Sequence, residues 1–389
     1  MHLLVCLAFA LQLAPSKTEG EPALAQDPNP ALSDPDPAAV SEMGPKKKKK
    51  HKKQEQEGEL PGAARPQPED LKKQKKPKRE DYEVEFRVGL TLEYNDNIIR
   101  LDKRDLEAFR NGTKPEKFRI SQPDDWIYSP WGQADLALHL FGEPSSAGLR
   151  VTGHLYQENS FASNEAFTAF LKGKHFSLEY TYEPGVYRRE YRNLDTGIYE
   201  SAFYDDHLVE AAVKIPIEKT VTIRPKAGVE FRDYDSPFIF RSSIAPFVAP
   251  RATLTLLDEL QPFIQYDFVW NDAFATGVQP DTSFEQHGVE GGILSKIHRE
   301  LELELKYRYE RRIYTTNNDP AFDPSHAGRA DDRTRFEARA QWKALPNLSL
   351  EVSFTYWIVL SNVPGKPDLS DEDSNWRRRE YLLGVTYTF

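Results

Sequence analysis

From residue 81 onward, apolar and polar positions alternate. The clearest run is Leu301-Glu-Leu-Glu-Leu-Lys-Tyr-Arg-Tyr309, apolar at every odd position and charged at every even one. The same period marks Val84/Phe86/Val88/Leu90/Leu92, Phe176/Leu178/Tyr180/Tyr182, Val209/Ala211/Val213/Ile215, Phe336/Ala338/Ala340/Trp342 and Leu348/Leu350/Val352/Phe354/Tyr356/Ile358. Successive side chains of a strand point to opposite faces, so each segment has one apolar and one polar face. The pattern predicts fourteen strands, near 82–94, 131–141, 148–158, 165–172, 175–190, 203–216, 219–234, 242–257, 260–271, 285–297, 299–312, 333–344, 347–360 and 377–389.

A soluble sandwich shows the same alternation; the connections separate the two. Tight links at 172–175, 216–219, 257–260, 297–299 and 344–347 alternate with longer ones at 95–130, 191–202, 235–241, 272–284, 313–332 and 361–376. That asymmetry is expected of an outer-membrane barrel, with short periplasmic turns and longer extracellular loops. Many of the strands exceed ten residues, enough to cross a bilayer when tilted, whereas sandwich strands are nearer five or six. Aromatics at Tyr94, Tyr182, Trp270, Tyr309, Trp342, Tyr356 and Tyr387 lie toward strand ends, as interfacial girdles require. The fold class expected is all-β: a transmembrane antiparallel up-and-down barrel with a disordered N-terminal extension.

Composition agrees. Mean hydropathy is -0.66, yet 12% of the residues are aromatic, which is unlike a disordered chain. No later stretch approaches the run of about 20 apolar residues that a spanning helix needs. The lone cysteine, Cys6, precedes the barrel, so the barrel has neither disulfides nor a cysteine nucleophile.

Residues 1–25 read as a signal peptide: Leu3 to Ala14 is an apolar stretch of the right length, although His2 departs from the usual basic start. Residues 26–80 are rich in Pro, Ala, Glu, Gln and Lys, with little to bury, and are expected to be a disordered periplasmic extension. They contain two basic blocks, Lys46 to Lys53 and Lys72 to Arg79. Residues 1–80 carry 15 Lys+Arg against 12 Asp+Glu, and the 81–389 barrel carries 36 against 49. The basic blocks read either as a solvated tether or as bait for a periplasmic polyanion such as the cell wall. The exported context argues against nucleic acid.

The last strand, Glu380-Tyr-Leu-Leu-Gly-Val-Thr-Tyr-Thr-Phe389, resembles the assembly signal of bacterial outer-membrane barrels. Phe389 is terminal, Tyr387 stands two residues before it and Gly384 has the expected spacing; Leu382 departs where the family prefers a polar residue. The resemblance implies insertion by the barrel-assembly machinery of a Gram-negative bacterium, with outer-membrane lipid and lipopolysaccharide as surroundings. Gly89-Leu-Thr-Leu-Glu-Tyr-Asn-Asp-Asn-Ile98 looks like the opening strand of porin-like barrels, some associated with exopolysaccharide export.

With the apolar positions facing lipid, the interior is charged with both signs. The candidate pore-lining residues are Arg87, Arg224, Glu230, Arg232, Glu302, Glu304, Lys306, Arg308, Arg335, Glu337 and Arg339. Opposed charges on adjacent strands form ladders that either select solutes or close the barrel structurally. Loops 95–130 and 313–332 are candidates to fold inward and constrict the lumen.

Other chemistry is sparse. Asp205-Asp206-His207 would lie near the outer mouth, where outer-membrane aspartyl-type proteases place such groups, but those barrels have ten strands. Asp371-Glu-Asp-Ser-Asn375 echoes a calcium loop, yet Trp376 stands where Gly is needed and Leu382 where the bidentate Glu belongs. His139 and His154 are isolated strand residues. No catalytic residue, metal or cofactor is expected. The function expected is a porin-like channel for small hydrophilic or charged solutes. The alternatives are a barrel for export or assembly of a surface polysaccharide, and a surface hydrolase using Asp206 and His207.

Overall fold

The computed structural model describes residues 83–257, 259–277, 279–363 and 375–389. The expected signal peptide, the Lys-rich extension and most of the calcium-like run 371–375 lie outside them.

All fourteen expected strands are present. They are β1 (Val84–Asn95), β2 (Asp125–Leu140), β3 (Glu143–Tyr156), β4 (Asn164–Gly173) and β5 (Phe176–Arg192). β6 is Tyr199–Val213 continued by Ile215–Pro216. β7 comprises Val221–Arg224 and Lys226–Tyr234, interrupted at Pro225, and β8 comprises Ser243–Val248 and Arg251–Leu254, interrupted around Pro250. There follow β9 (Leu260–Ala273), β10 (Phe284–His298), β11 (Leu301–Tyr314), β12 (Ala330–Leu345), β13 (Leu348–Asn362) and β14 (Trp376–Thr388). Proline lacks the N–H that a ladder needs, which accounts for the two interruptions.

Each strand pairs antiparallel with the next, and β14 pairs with β1 from Arg87↔Thr388 to Asn95↔Glu380. The sheet is therefore a closed barrel with no free edge. Short turns at 141–142, 174–175, 217–220, 255–259, 299–300 and 346–347 sit at one end, long connections at the other. Both β1 and β14 have their outer termini at the short-turn end.

The largest departures from the expected boundaries are at the starts of β2 and β3; β6 also starts early, at Tyr199 rather than 203, and β12 at Ala330 rather than 333. β2 starts at Asp125 rather than 131, because Asp125 to Pro130 pairs with Leu90 to Asn95; Pro130 had hidden the alternation. β3 starts at Glu143 rather than 148, since small residues at 145–148 carry no hydrophobic signal.

The loop between β1 and β2 contains helix α1 (Lys103–Arg110), whose N-cap Asp102 accepts the amide of Asp105. Its Leu106 and Phe109 join a buried apolar cluster of Ile98, Leu101, Phe118, Ile120, Tyr187, Tyr204, Tyr234, Phe238 and others. Apart from a few inward aromatic rings and a small buried cluster of Trp357, Val359 and Trp376, the strands' apolar residues face outward. Leu149, Ile264, Val289, Leu305, Tyr307, Val352 and Leu383 are all exposed, forming a belt far larger than a soluble monomer leaves bare. This inside-out distribution is that of a barrel whose outer surface is covered by bilayer hydrocarbon.

Candidate functional site

The alternation of β11 sorts its side chains cleanly. Leu305, Tyr307 and Tyr309 are exposed on the outer face; Glu304, Lys306, Arg308 and Glu310 are buried on the inner one. Glu302 follows the same parity on β11, as do Arg335, Glu337 and Arg339 on β12 and Glu230 and Arg232 on β7. On β1, Arg87 donates to Asp135 of β2 at 2.8 Å. On β7, Arg224 stands opposite Arg251 of β8 in the register.

The inner charges meet across strands, and often across two. Arg308 lies 3.3 Å from Asp267 of β9, 3.9 Å from Glu290 of β10 and 2.6 Å from Glu310. The contact with Asp267 passes over β10 where Gly288 has no side chain to obstruct it. Arg335 reaches Glu290 at 2.8 Å, and Lys306 lies 3.3 Å from Glu304 and 2.9 Å from Glu337. Arg339 holds Glu351 of β13 at 2.8 Å and approaches Glu304 at 3.9 Å. Glu230 pairs with Arg232 at 2.5 Å. Burial of charge is costly, and here each charge is offset by partners of opposite sign.

A second motif anchors further cations along the inner wall. At four inner glycines a Cβ would overlap an aromatic ring from the neighbouring strand: Gly89 with Trp131, Gly148 with Phe170, Gly228 with Phe247 and Gly292 with Phe263. Each ring is in turn covered by a cation: Arg150 on Trp131 at 4.4 Å, Lys172 on Phe170 at 4.6 Å, Lys226 on Phe247 at 5.9 Å and Arg251 on Phe263 at 3.5 Å from the centroid. The glycine lets the ring lie against the wall, and the ring's negative face holds the cation.

The interior tapers. Along β11 the exposure of the inner side chains falls from 17% at Glu302 through 7% at Glu304 and 4% at Lys306 to 2% at Arg308. On β1, Glu85 is 49% exposed and Arg87 35%, whereas Asn95 at the far end is fully buried. The space is thus open at the short-turn end and filled toward the loops. There the loop 96–124 crosses the mouth: Asp105 of α1 pairs with Arg189 of β5 at 3.2 Å and with Lys117 at 2.9 Å, and Arg119 donates to Ser201 of β6 at 3.1 Å. The expected loop 313–332 instead packs on its neighbour 274–283, through Asn318 to Gln279 and Asp323 to the amide of Asp281. Between loop 96–124, the β5–β6 hairpin and loop 235–242 is a cleft of about 560 Å³, lined among others by Glu116, Phe118, Glu190, Ser201 and Asp235.

Asp206 and His207 fall on opposite faces. Asp206 is buried inward, while His207 faces outward, stacks on Tyr182 and bonds Tyr180 through Nδ1 at 2.9 Å. They do not form a paired acid–base site. His154 is held by Ser129 at 3.0 Å. Of the terminal signature, Tyr387 and Phe389 are exposed, with their rings in edge contact at 4.9 Å, and Gly384 faces inward beside Glu351. Leu382 is also an inner position, which is why a polar residue would be ordinary there.

Sequence reasoning left out Arg312, Arg333, Trp357 and Arg378, all on the inner face near the loops. Their parity within each strand was the available signal.

The fold is a closed fourteen-stranded antiparallel barrel with an apolar outer belt, the architecture of transmembrane β-barrels. Among solved structures the chain is similar to outer-membrane expressed OmpT of Vibrio cholerae (10% identity, TM-score 0.42, 80% of this chain and 99% of that one). It is also similar to the outer membrane channel DcaP of Acinetobacter baumannii (12% identity, TM-score 0.44, 80% and 99%). A third is an anion-selective porin from Comamonas acidovorans (8% identity, TM-score 0.39, 79% and 99%). No family model and no curated protein matches the chain.

Proposed function

We propose that this protein is an outer-membrane channel for small hydrophilic or charged solutes, inserted by the barrel-assembly machinery with Gly384, Tyr387 and Phe389 as signal. The short-turn end faces the periplasm, where the N-terminal extension emerges, and the long loops face outward among lipopolysaccharide. The observation that carries this reading is the tapered, charge-lined interior: a vestibule at Glu85 and Arg87 that narrows toward Arg308. Oxygen and nitrogen groups of both signs along such a path replace part of a solute's hydration. Barrel diameter grows with strand number, so fourteen strands enclose more space than the small barrels that side chains fill.

The test is single-channel conductance of the refolded full chain in a planar bilayer, with folding verified by heat-modifiable gel migration. Discrete openings altered by Glu337→Gln or Arg339→Gln are expected. A folded barrel that stays silent would overturn the channel reading.

A further inference from the structure

The outer face of β13 and β14 carries charge at one place. From Leu348 to Leu360 the outward positions of β13 are uncharged, as are those of β14 from Tyr381 to Tyr387. The exceptions are Arg377 and Arg379, two residues apart at the loop-side end of β14 and both exposed. The side chain of Arg377 makes no hydrogen bond, ion pair or ring contact with any described residue. That of Arg379 has a long contact with Asp96, at 3.8 Å, and stands over Tyr356 at 5.8 Å from the ring centroid. The register sets Arg379 opposite Tyr356 and Arg377 opposite Ile358.

The rest of this edge is built the other way. Where outward tyrosines reach the loop-side limit of the apolar belt, the protein supplies an acceptor. Tyr94 donates to Asp124 at 2.9 Å, Tyr182 to Asp205 at 3.1 Å and Tyr309 to Asp332 at 2.6 Å. A tyrosine at a membrane interface keeps its ring in hydrocarbon and its hydroxyl among the headgroups. These pairs mark where the headgroup layer begins, and they line it with carboxylates. Arg311 of β11 also faces outward, but Asp332 offsets it at 3.6 Å. Tyr356 differs: its hydroxyl has no acceptor among the described residues, and an arginine stands over its ring.

Lipid phosphates are therefore repelled along much of the rim and attracted at β13 and β14. Alternate residues of a strand lie about 7 Å apart, so two guanidiniums on one face can close on one phosphate from two sides. The guanidinium fork matches phosphate in geometry as well as charge. Asp96 draws on Arg379 from the β1 side, and the β13 side has no outward carboxylate. Below the pair, Val352 and Leu383 stand opposite each other and are both exposed, an apolar surface for acyl chains.

We infer that Arg377, Arg379 and the hydroxyl of Tyr356 form a seat for the phosphate group of an outer-leaflet lipid, whose acyl chains run down β13 and β14. The seat rests on the membrane orientation proposed above, with the long loops outward, and not on conduction.

The experiment is native mass spectrometry of the full chain, refolded in detergent and titrated with diphosphorylated lipid A. The same lipid without its phosphates, and inorganic phosphate, are the comparisons. Lipid A should be retained, the dephosphorylated form far less and phosphate alone not at all. Arg377→Gln with Arg379→Gln should weaken retention by about tenfold or more, the effect of two basic residues at an anionic lipid surface. Lys174→Gln with Lys219→Gln removes the same charge at the short-turn end and should leave retention unchanged. Tyr356→Phe, which loses only the hydroxyl, should also weaken retention and decides the matter if the arginine variant does not fold. Equal retention of the two lipid forms, or by wild type and a folded seat variant, overturns the seat. Phosphate bound as tightly as lipid A would make this a site for a free anion and overturns the lipid. A silent barrel whose retention needs Arg377 and Arg379 loses the channel and keeps the seat; a conducting barrel indifferent to them does the reverse.

Discussion

The guanidinium of Arg251 lies 3.5 Å from the ring centroid of Phe263, and the opposite side of that ring covers the bare backbone of Gly292. Three strands are tied by this one stack: β8 supplies the cation, β9 the ring and β10 the space. Its cation–π part is worth about 0.5–2 kcal/mol. The glycine is what allows the ring to lie flat.

Gly292→Val should therefore expel Phe263 from its seat. The expected loss is about 1–3 kcal/mol, the usual cost of forcing extra volume into a packed site. It is read as a lower urea midpoint for unfolding in lipid vesicles. Gly291→Val, whose Cβ meets only the Phe263 carbonyl oxygen at 4.0 Å, is the control and should shift the midpoint far less.

The two faces of β11 should respond differently to charge. Leu305 is exposed to lipid, so Leu305→Arg should cost about 2–4 kcal/mol near the bilayer midplane. A cation added inside, as in Gln341→Lys, should be tolerated. If vesicle-based unfolding gave the two variants equal losses, the assignment of faces would be wrong.

Arg308→Leu removes the cation shared by Asp267, Glu290 and Glu310. Breaking a buried pair from one side typically costs about 3–5 kcal/mol, because the abandoned charge stays buried. Combining it with Asp267→Leu should recover part of the loss, which a double-mutant cycle measures directly.

Asp235, in the loop between β7 and β8, has its carboxyl pushed above the ordinary 3.8 by partial burial and by Asp205 and Asp233. A carboxyl raised in the folded state favours the protonated form there. Its charge opposes the folded loop at neutral pH, and that opposition is relieved as pH falls through the raised value toward 3.8. Amide exchange of residues 235–242, corrected for intrinsic rates, should slow over that window. In Asp235→Asn the pH dependence should shrink; an unchanged profile would assign it to another group.

Loop 96–124 is pinned at the barrel mouth by the contact of Asp105 with Arg189. Arg189→Ala should loosen α1 and speed tryptic cleavage at Lys103, Arg104 and Arg110. Unchanged cleavage would mean that the apolar cluster around Phe118 and Tyr187 suffices to hold the loop.

Much of this was legible in the chain itself. Period-two runs located every strand, and parity alone placed Glu304 inside and Leu305 outside, because the pleat leaves no third option. The same parity would have separated Asp206 from His207. What the pattern concealed has physical reasons. Pro130 interrupts the alternation of β2. The apolar loop residues Ile98, Ile99, Phe118 and Ile120 follow no period, so neither α1 nor the mouth cluster announced itself. The meetings of Arg308 with Asp267, and of Arg333 with Gln286, reach across an intervening strand. They depend on register and tilt, which a list of strands leaves open.

The closed ladder also limits how such a chain can change. Every strand is hydrogen-bonded on both sides and, outside the bulges in β5 and at the ends of β10 and β12, its faces alternate residue by residue. Gaining or losing one residue inside β11 would turn Arg308 toward lipid and Tyr309 toward Arg335 at a single stroke. Unless a bulge absorbs them, as in β5, single-residue insertions and deletions are therefore pushed to the loop end, where a longer or shorter 315–329 disturbs no register. Point substitution can retune the interior one position at a time, whereas the wall itself is inherited whole.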